Sequence, residues 1–401
     1  MSTGTVGSRR NLGAAKTLAL VGLGGLCVAA SGAELAQSEP ITSALHTFRV
    51  VTVVDGLVNP WSMAWLPNGD MLVTERPGRL RIVRNGELLP DAVPGVPAVR
   101  VVGQGGLQDV VVHPDFATNR LIYLSFAKPN ADGSQGTTAI VRGRLEHDAL
   151  VDVEEIFEAQ PYSASPGHYG ARMAFDGQGH LFVSSGERMA PSTGDLTQHP
   201  AQITAHDHGK ILRLNDDGSV PADNPFVGRE GFAPEIWSYG HRNPQGLAFD
   251  RETGILWETE HGPQGGDELN QIRPGLNYGW PVITYGMNYR VGTPIGHREQ
   301  EGMEQPAAFW VPSIATSGLM IYHGDKFPMW KGNAFVGGLS AQYQQLSRVM
   351  LDGTTVTNRE PLLQNKMRIR DVREGPDGYI YIATDNSLGN PTPIVRLEPA
   401  D

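Results

Sequence analysis

The side chains best suited to chemistry concentrate between Tyr239 and Pro281, where two polar loops flank a pair of short apolar runs. The first loop, residues 240–246, reads GHRNPQG, and the second, residues 260–268, reads EHGPQGGDE. Carboxylates and backbone carbonyls in a Gly- and Pro-rich loop are hard oxygen ligands of the kind that Ca²⁺ prefers. The second loop therefore has the character of a calcium site, although an acidic turn without metal explains the same residues.

A histidine and an arginine pair are further candidates outside this stretch. His168 lies in the sequence SPGHYGAR just before an apolar run, and a histidine in such a loop can act as a general base near neutral pH. Arg368 and Arg370 are two residues apart, so on a strand both side chains point to the same side. With Arg242 they would suit a polyanionic small ligand. A surface histidine and cross-strand ion pairs are the simpler interpretations.

A repeated unit must position these residues. From Thr47 onward, a turn rich in Pro, Asp, Asn and Gly precedes a short run of β-branched and aromatic residues, and six such copies occur at uneven spacing. Residues 66–74 and 375–382 contain two of them. Six β-units without a long amphipathic helix predict an all-β fold, a six-bladed β-propeller. A β-sandwich or two β-domains are the alternatives.

Loop insertions are predicted in the middle of the chain, on the face that carries the site. They are expected at residues 128–140, 160–172, 188–208, 220–245 and 262–316. No linker interrupts residues 40–401, so one propeller domain is expected there.

The N-terminal residues 1–36 are predicted to be a secretory signal peptide, because a basic segment precedes an apolar run from Thr17 to Ala30. The paired Arg9 and Arg10 weakly resemble a twin-arginine signal, and ordinary Sec export is the favoured route. The formal net charge of −11 argues against a nucleic-acid partner, which requires a basic face. A periplasmic or secreted protein without stable membrane insertion of the mature chain is therefore expected.

Several motifs, taken together and in order, resemble the soluble PQQ-dependent glucose/sorbosone dehydrogenase family, and most closely its aldose sugar dehydrogenase branch. The resemblance covers roughly residues 48–399. The motifs that carry it are GLVNPWSMAWLPNGDMLVTERPGRLRIV (56–83), GQGGLQDVVVHPDF (103–116), HYGARMAF (168–175), YGHRNPQGLAFD (239–250), EHGPQGGDELN (260–270), NYGWP (277–281) and RIRDV (368–372).

The resemblance implies a six-bladed propeller that carries pyrroloquinoline quinone (PQQ) over its central channel. His168 matches the catalytic base of the family, and Arg242 would stabilise charge that develops on the quinone. The positions that match cofactor-binding residues are Gln104, Arg242, Asn243, Arg368 and Arg370.

The resemblance also implies two Ca²⁺ sites. The carbonyl oxygens of Gly262 and Pro263 match ligands of the Ca²⁺ that binds next to the cofactor and would polarise the quinone. Glu268 and Tyr278 match a second, structural Ca²⁺ site, to which Tyr278 would contribute its backbone carbonyl.

Two departures from the family pattern are present. Ser340 stands near a position at which soluble glucose dehydrogenases have a lysine on the cofactor, although the aldose branch also lacks it. Gly186-Glu187 stands where the family often has Gly-Asp. A carboxylate near His168 could orient the imidazole, and the extra methylene of Glu187 leaves that geometry open.

The predicted function is oxidation of aldose sugars at C1 to lactones with PQQ and Ca²⁺, with electrons passed to an external acceptor. Two alternatives stay open at this stage. A Ca²⁺-dependent propeller lactonase would need side-chain carboxylates in the central channel and would have no use for Arg368 and Arg370. A non-catalytic propeller that binds carbohydrate or protein would have no affinity for the quinone.

Overall fold

The computed structural model describes residues 37–386 and 388–400. The predicted signal peptide, residues 1–36, lies outside the described residues. The described residues form one compact unit. Its described part contains one short helix, α1 (Phe116–Asn119), and 3₁₀ turns at Leu196–Gln198 and Pro328–Trp330; everything else regular is β-strand.

The strands form six antiparallel sheets, which are the blades of a propeller. The first two strands, β1 (Ile41–Thr42) and β2 (Thr47–Val58), belong to the last blade. Blade 1 contains β3 (Pro60–Trp65), β4 (Met71–Glu75), β5 (Arg79–Arg84) and β6 (Glu87–Leu88). Blade 2 contains β7 (Leu107–Val112), β8 (Leu121–Pro129), β9 (Gly136–Glu146) and β10 (Ala149–Glu158). Blade 3 contains β11 (Gly170–Phe175), β12 (His180–Ser185), β13 (Lys210–Asn215) and β14 (Ile236–Tyr239).

The remaining blades follow the same order. Blade 4 contains β15 (Pro244–Asp250), β16 (Ile255–Glu260), β17 (Asp267–Ile272) and β18 (Ala308–Trp310). Blade 5 contains β19 (Thr316–Ile321), β20 (Ala334–Gly338), β21 (Leu346–Asp352) and β22 (Thr355–Leu362). Blade 6 contains β23 (Ile369–Glu374), β24 (Ile380–Thr384) and β25 (Pro391–Pro399), to which β2 and β1 are added. The prediction of six blades is therefore confirmed, and the sandwich alternative is wrong.

The repeated turn seen in the sequence joins the first two strands of each blade. Gly69, Gly254 and Gly378 adopt φ of 89°, 73° and 77° at this turn, a conformation that only glycine reaches without strain. In blade 2, Arg120 takes the same place with φ of 62° after the short helix α1. The repeat in the sequence is thus the inner hairpin of the blade.

The ring is closed by pairing between the two ends of the chain. Strand β2 pairs antiparallel with β25 from Phe48 opposite Pro399 to Val58 opposite Pro391. The innermost strands β3, β7, β11, β15, β19 and β23 contact one another around the axis. The innermost edge of each sheet therefore faces the ring axis, where it is shielded from pairing with other chains.

Apolar side chains pack between neighbouring blades, where the two sheet faces meet. Trp257 of blade 4 belongs to a cluster with residues of blade 5, and Trp330 of blade 5 packs with Phe48 of blade 6. All three side chains are almost fully buried. Burial of such rings supplies much of the stability of the interfaces between blades.

A buried network of charges crosses the axis halfway along the channel. Arg172 pairs with Asp371 at 3.0 Å and with Asp109 at 3.3 Å, while Arg373 pairs with the same two carboxylates at 3.0 and 3.2 Å. These residues come from β7, β11 and β23. Both arginines are matched by both carboxylates, so the buried charges compensate one another. The network separates a polar cavity at one end of the axis from a second cavity at the other, which is lined by both apolar and charged residues.

The polar cavity opens where the innermost strands begin and the second strands end, which is here called the site face. Two predicted insertions reach this face, since segment 186–209 follows β12 and segment 273–307 folds back so that Met287 pairs with Gln264. The predicted insertion at 128–140 is wrong. Strands β8 and β9 occupy most of it and leave only a short hairpin loop at 130–135.

Candidate functional site

The polar cavity on the axis is the main candidate site, with a volume of about 220 Å³. All six blades or the loops next to them contribute to its walls. Its fourteen lining residues are Asn59, Trp61, Arg76, Gly103, Gln104, Gln108, Tyr169, Asn243, Gln245, His261, Leu339, Arg368, Arg370 and Asp385. Asp385 is the only carboxylate among them, against three arginines. The cavity therefore favours an anionic ligand.

Four residues predicted to bind a cofactor, Gln104, Asn243, Arg368 and Arg370, line this cavity together. They come from three separate parts of the ring, so the fold brings them together as the resemblance implies. These two arginines are not reserved for an external anion, because both lie near a carboxylate of the protein. Arg368 pairs with Asp385, and Arg370 lies 3.8 Å from the same carboxylate. The simpler interpretation as cross-strand ion pairs is thus partly realised.

The positive charge of Arg370 is only partly compensated by Asp385. Burial lowers the pKa of its guanidinium to about 9, opposed by Asp385 and reinforced by nearby arginines that include Arg76. Its Nη1 donates a hydrogen bond of 3.0 Å to Gln245 Oε1. A buried cation whose pKa is depressed in this way gains from any anion that enters the cavity. An anion in the cavity would therefore be stabilised by Arg370.

His168 is held by a carboxylate behind it. Its Nδ1 lies 2.7 Å from Glu187 Oε1, and both side chains are buried. The second oxygen of Glu187 accepts a hydrogen bond of 2.7 Å from the backbone N–H of Ala190. This fixes Nδ1 as the protonated nitrogen and leaves Nε2 as the proton acceptor. The open question about the extra methylene is answered: glutamate reaches the imidazole.

Gly186 makes this approach possible. A Cβ at this position would lie 2.3 Å from the carbonyl oxygen of His168, so any larger residue would push the two loops apart. The dipeptide Gly186-Glu187 is therefore a unit, in which the glycine allows the close approach and the glutamate makes the hydrogen bond.

The electrostatics keep His168 neutral. Burial and the positive charge of Arg242 lower the pKa of the imidazole, against the opposing effect of Glu187. Burial alone would raise the pKa of Glu187, but the hydrogen bond from His168 and the positive charge of Arg242 bring it below its usual value. A neutral imidazole with an ionised carboxylate behind it is the state that a general base requires.

Gln104 and Asn243 shape the backbone around His168. Gln104 Oε1 accepts a hydrogen bond of 2.8 Å from the backbone N–H of His168, and Asn243 Oδ1 accepts one of 3.3 Å from that of Gly170. His168 itself has φ of 50°, an uncommon conformation for a non-glycine residue. These two amides thus hold the histidine loop as well as lining the cavity.

Arg242 lines a very small neighbouring cavity that shares His261 with the main one. Its Nη1 donates hydrogen bonds to the carbonyl oxygens of His261 at 2.9 Å and Gly262 at 2.8 Å. Its backbone N–H donates to Glu260. The Gly262 carbonyl, predicted as a calcium ligand, therefore already faces a cation, and its second lone pair remains for another. Pro263 is buried in the same loop.

A cluster of carboxylates lies behind this loop, on one face of blade 4. Glu258, Glu260 and Glu268 all accept from the single side-chain amide of Asn270, at 3.1, 3.5 and 3.3 Å. Burial, and then the neighbouring Glu260, raise the pKa of both Glu258 and Glu268, and burial raises that of Glu260 to about 7. One amide cannot balance three carboxylates, so the cluster lacks positive charge.

This cluster fits the second calcium site that the resemblance implies. Glu258 Oε1, Asn270 Oδ1 and His241 Nδ1 are buried and have no hydrogen-bond partner among the described residues. Ligand atoms of His241, Glu258 and Glu260 lie within 4.8 Å of one another. Hard oxygen donors in this number suit Ca²⁺. Sequence reasoning placed Glu260 and Glu268 in a candidate calcium loop but missed Glu258 and Asn270, which join them only through the pairing of β16 with β17.

Tyr278 and Ser340 have clear structural settings. The Tyr278 hydroxyl donates to the Gln271 carbonyl at 2.5 Å and accepts from Arg273 N–H at 2.9 Å, so only its backbone carbonyl could face a metal.

Ser340 follows Leu339, which lines the main cavity, and its hydroxyl accepts from Tyr343 N–H. Ser340 therefore supplies no cation to the cavity.

Arg76 supplies a cation that sequence reasoning missed. Its Nη1 donates to the carbonyls of Gly103 at 2.7 Å and Gly105 at 3.3 Å, on either side of Gln104. The side chain also lines the cavity. Its position in the TERPGR motif between β4 and β5 gave no spacing signal, because its partners come from another blade.

The fold and the cavity together define a ligand-binding six-bladed propeller whose site lies on the ring axis. The family model for glucose/sorbosone dehydrogenases matches residues 57–396. The chain belongs to this family, and membership places it among the sugar oxidoreductases.

Relatives of known name agree with this assignment. The chain is 42% identical over 370 residues to the aldose sugar dehydrogenase YliI of Escherichia coli strain K12, covering 90% of this chain and 96% of that one. It is 25% identical over 443 residues to quinoprotein glucose dehydrogenase B of Acinetobacter calcoaceticus, covering 88% and 91%. The PQQ-bound structure of an aldose sugar dehydrogenase from Streptomyces coelicolor superposes with a TM-score of 0.70 at 29% identity, covering 86% and 96%. The predicted family resemblance is confirmed.

Proposed function

We propose that this chain oxidises aldose sugars at C1 to lactones, using PQQ and Ca²⁺, and passes the electrons to an external acceptor. The observation that carries the proposal is the buried pair of His168 and Glu187 next to an arginine-lined cavity. The relatives named above, one a quinoprotein and one with bound PQQ, support the choice of cofactor. The lactonase alternative gains no support from a cavity with three arginines and one carboxylate.

The residues present fit an anionic quinone. When bound, PQQ supplies the hydride acceptor and the adjacent Ca²⁺ polarises it. Arg368 and Arg370 would hold carboxylates of the cofactor, and Arg76 offers a third guanidinium in the same cavity. Gly262 and Pro263 would hold the adjacent Ca²⁺ through their carbonyls, and Glu268 with Tyr278 would hold the second.

Proton transfer falls to His168. Its Nε2 accepts the proton from the C1 hydroxyl of the sugar while its Nδ1 keeps the hydrogen bond to Glu187. The imidazolium that forms lies against the ionised Glu187, which stabilises it. Arg242, which is held by the Gly262 carbonyl, would stabilise negative charge that develops on the quinone.

Reconstitution tests the proposal directly. Adding PQQ and Ca²⁺ to cofactor-free protein should produce a quinone absorbance change that saturates with PQQ, and dye reduction that depends on an aldose. Removal of Ca²⁺ with a chelator should lower both PQQ affinity and the midpoint of thermal unfolding, because a ligand that binds only the folded state stabilises it. Aldose-independent dye reduction, or no PQQ binding at all, would overturn the proposal.

Arg370→Gln should weaken PQQ binding about 10- to 100-fold, because a charge-assisted hydrogen bond in a buried cavity contributes about 1.5–3 kcal/mol. The measurement is a PQQ titration followed by absorbance. Arg142→Gln is the matched control, since Arg142 pairs with Glu154 on the outer part of blade 2. Equal affinities of the two variants would remove Arg370 from the cofactor site.

We also propose that the protein is periplasmic or secreted and is exported through its N-terminal segment. Within the described residues, no helix is long and apolar enough to cross a membrane. Fractionation of cells expressing the full chain, followed by N-terminal sequencing of the product, tests the export and identifies the cleavage site.

A further inference from the structure

Large apolar side chains are exposed around the mouth of the cavity. We call six of them the apolar ring: Val102, Met189, Tyr289, Val291, Val311 and Tyr343. Tyr289, Val291 and Val311 are 60%, 70% and 60% exposed. Exposed apolar side chains that surround one opening, rather than being scattered singly, indicate an interaction surface.

Contacts with cavity residues place the ring at the mouth. Val102 precedes Gly103 and Gln104, which line the cavity. A Cβ on Gly167 would lie 2.6 Å from Met189 Sδ and 2.9 Å from Gln104 Oε1, so Met189 lies beside Gln104.

The other members of the ring lie on loops of blades 4 and 5. Tyr289 and Val291 lie on the loop in which Met287 pairs with Gln264. Val311 lies against Gly265 of the proposed calcium loop. Tyr343 shares with Val311 a groove of about 540 Å³ next to the loop of Leu339, which itself lines the cavity.

The ring differs in charge from the rest of the protein. Within two positions of any member, the only exposed charged residue is Arg290, and Arg359 is an exposed cation in the groove that Val311 and Tyr343 share. The chain as a whole carries a formal net charge of −11. Exposed carboxylates begin further out, for example at Glu299 and Glu301 on the same long insertion as Tyr289. An apolar contact zone thus lies within an acidic molecule.

We propose that the apolar ring docks the external electron acceptor, and that this acceptor is a small basic redox protein with an apolar patch around its redox group. The inference rests on the proposed sugar oxidation. Oxidation of one aldose to its lactone releases two electrons and two protons. A one-electron carrier must therefore dock twice per sugar, and the protons leave to water.

The charge distribution favours this occupant over two others. A net charge of −11 attracts a basic carrier over long range, while the ring makes the close contact. The same charge repels an anionic membrane surface. It also repels a second copy of this chain, which would bring the same charge to the interface.

Holoenzyme variants separate docking from catalysis. The double change Tyr289→Ser and Val291→Ser should lower the apparent second-order rate constant for reduction of cytochrome c, a basic probe, by about tenfold or more, since buried aromatic anchors dominate such interfaces. The rate with a small dye should stay unchanged. The matched control is Met329→Ser, because Met329 is also 60% exposed but lies in the 3₁₀ turn between β19 and β20, away from the ring.

Each outcome decides a separate point. If the unmodified holoenzyme does not reduce the dye in the presence of an aldose, the result counts against the proposed function rather than against docking. Normal dye reduction with equal cytochrome c rates for both variants would overturn the docking inference. Faster reduction of the acidic cytochrome b5 than of cytochrome c would also overturn it. The same holds if the ring binds vesicles of phosphatidylcholine and phosphatidylglycerol, or if the protein forms a dimer that the double change dissociates. A cytochrome c rate that falls with added salt would support the inference.

Discussion

Replacing His168 with alanine is expected to lower kcat for aldose oxidation by about 10²- to 10⁴-fold, the usual contribution of a positioned general base. His168 is neutral, buried and oriented by Glu187, so its free Nε2 is the proton acceptor that the site offers. The cavity residues that would hold the cofactor are left in place. PQQ affinity should therefore change little, and the two quantities are measured by dye reduction and by absorbance titration.

The control for this variant lies in the same blade. His180 Nδ1 lies 2.7 Å from Asp176 Oδ2, so it is also a histidine paired with a carboxylate, but at the opposite end of β12 from the site. His180→Ala should keep kcat within a factor of a few. Similar activity in the two variants would exclude His168 as the base.

Glu187→Gln is expected to lower kcat by about 10²-fold or more, although the change is nearly isosteric. A glutamine amide can donate to Nδ1 and so favours the tautomer that carries its proton on Nε2, which removes the base. The pH dependence should change as well. In the unmodified protein, the pKa of His168 is lowered from 6.5, so kcat/KM should decline on the acid side with a midpoint below pH 6.5.

The direction of the pH change follows from the role of Glu187. The carboxylate raises the pKa of His168, so its removal should move the acid midpoint to still lower pH while the plateau falls. Glu187→Asp keeps the charge and should recover part of kcat relative to the glutamine variant. A lower unfolding temperature with an unmoved acid midpoint in Glu187→Gln would show that Glu187 acts only on stability.

The fold was largely predictable from the sequence because its turns repeat. The Gly residues at positive φ, such as Gly69 and Gly378, mark each inner hairpin and do so locally. The insertion at 128–140 was the main error. Its Pro, Asn, Asp and Gly residues indicate a long loop, but β8 and β9 pair as far as Pro129 opposite Gly136 and leave only residues 130–135 between them.

The site was predictable only where a motif carried it. His168, Arg242 and the Arg368–Arg370 pair are recognisable within short motifs, whereas Arg76 and Asp385 join the cavity through contacts between blades. Such contacts leave no spacing signal. The same limit hid the carboxylate cluster, because Glu258 and Glu268 meet only through the pairing of β16 with β17.

Closure of the ring by β2 and β25 has a consequence for biosynthesis. Phe48 is made about 350 residues before its partner Pro399, so a growing chain carries an unpaired strand until β25 has been made. Long-range pairing of this kind folds slowly. The polar cavity, which draws on all six blades, cannot form before β25 has been made. Loading of the proposed cofactor, PQQ, would therefore be a late event, and premature termination would yield chains unable to capture it rather than partly active enzyme.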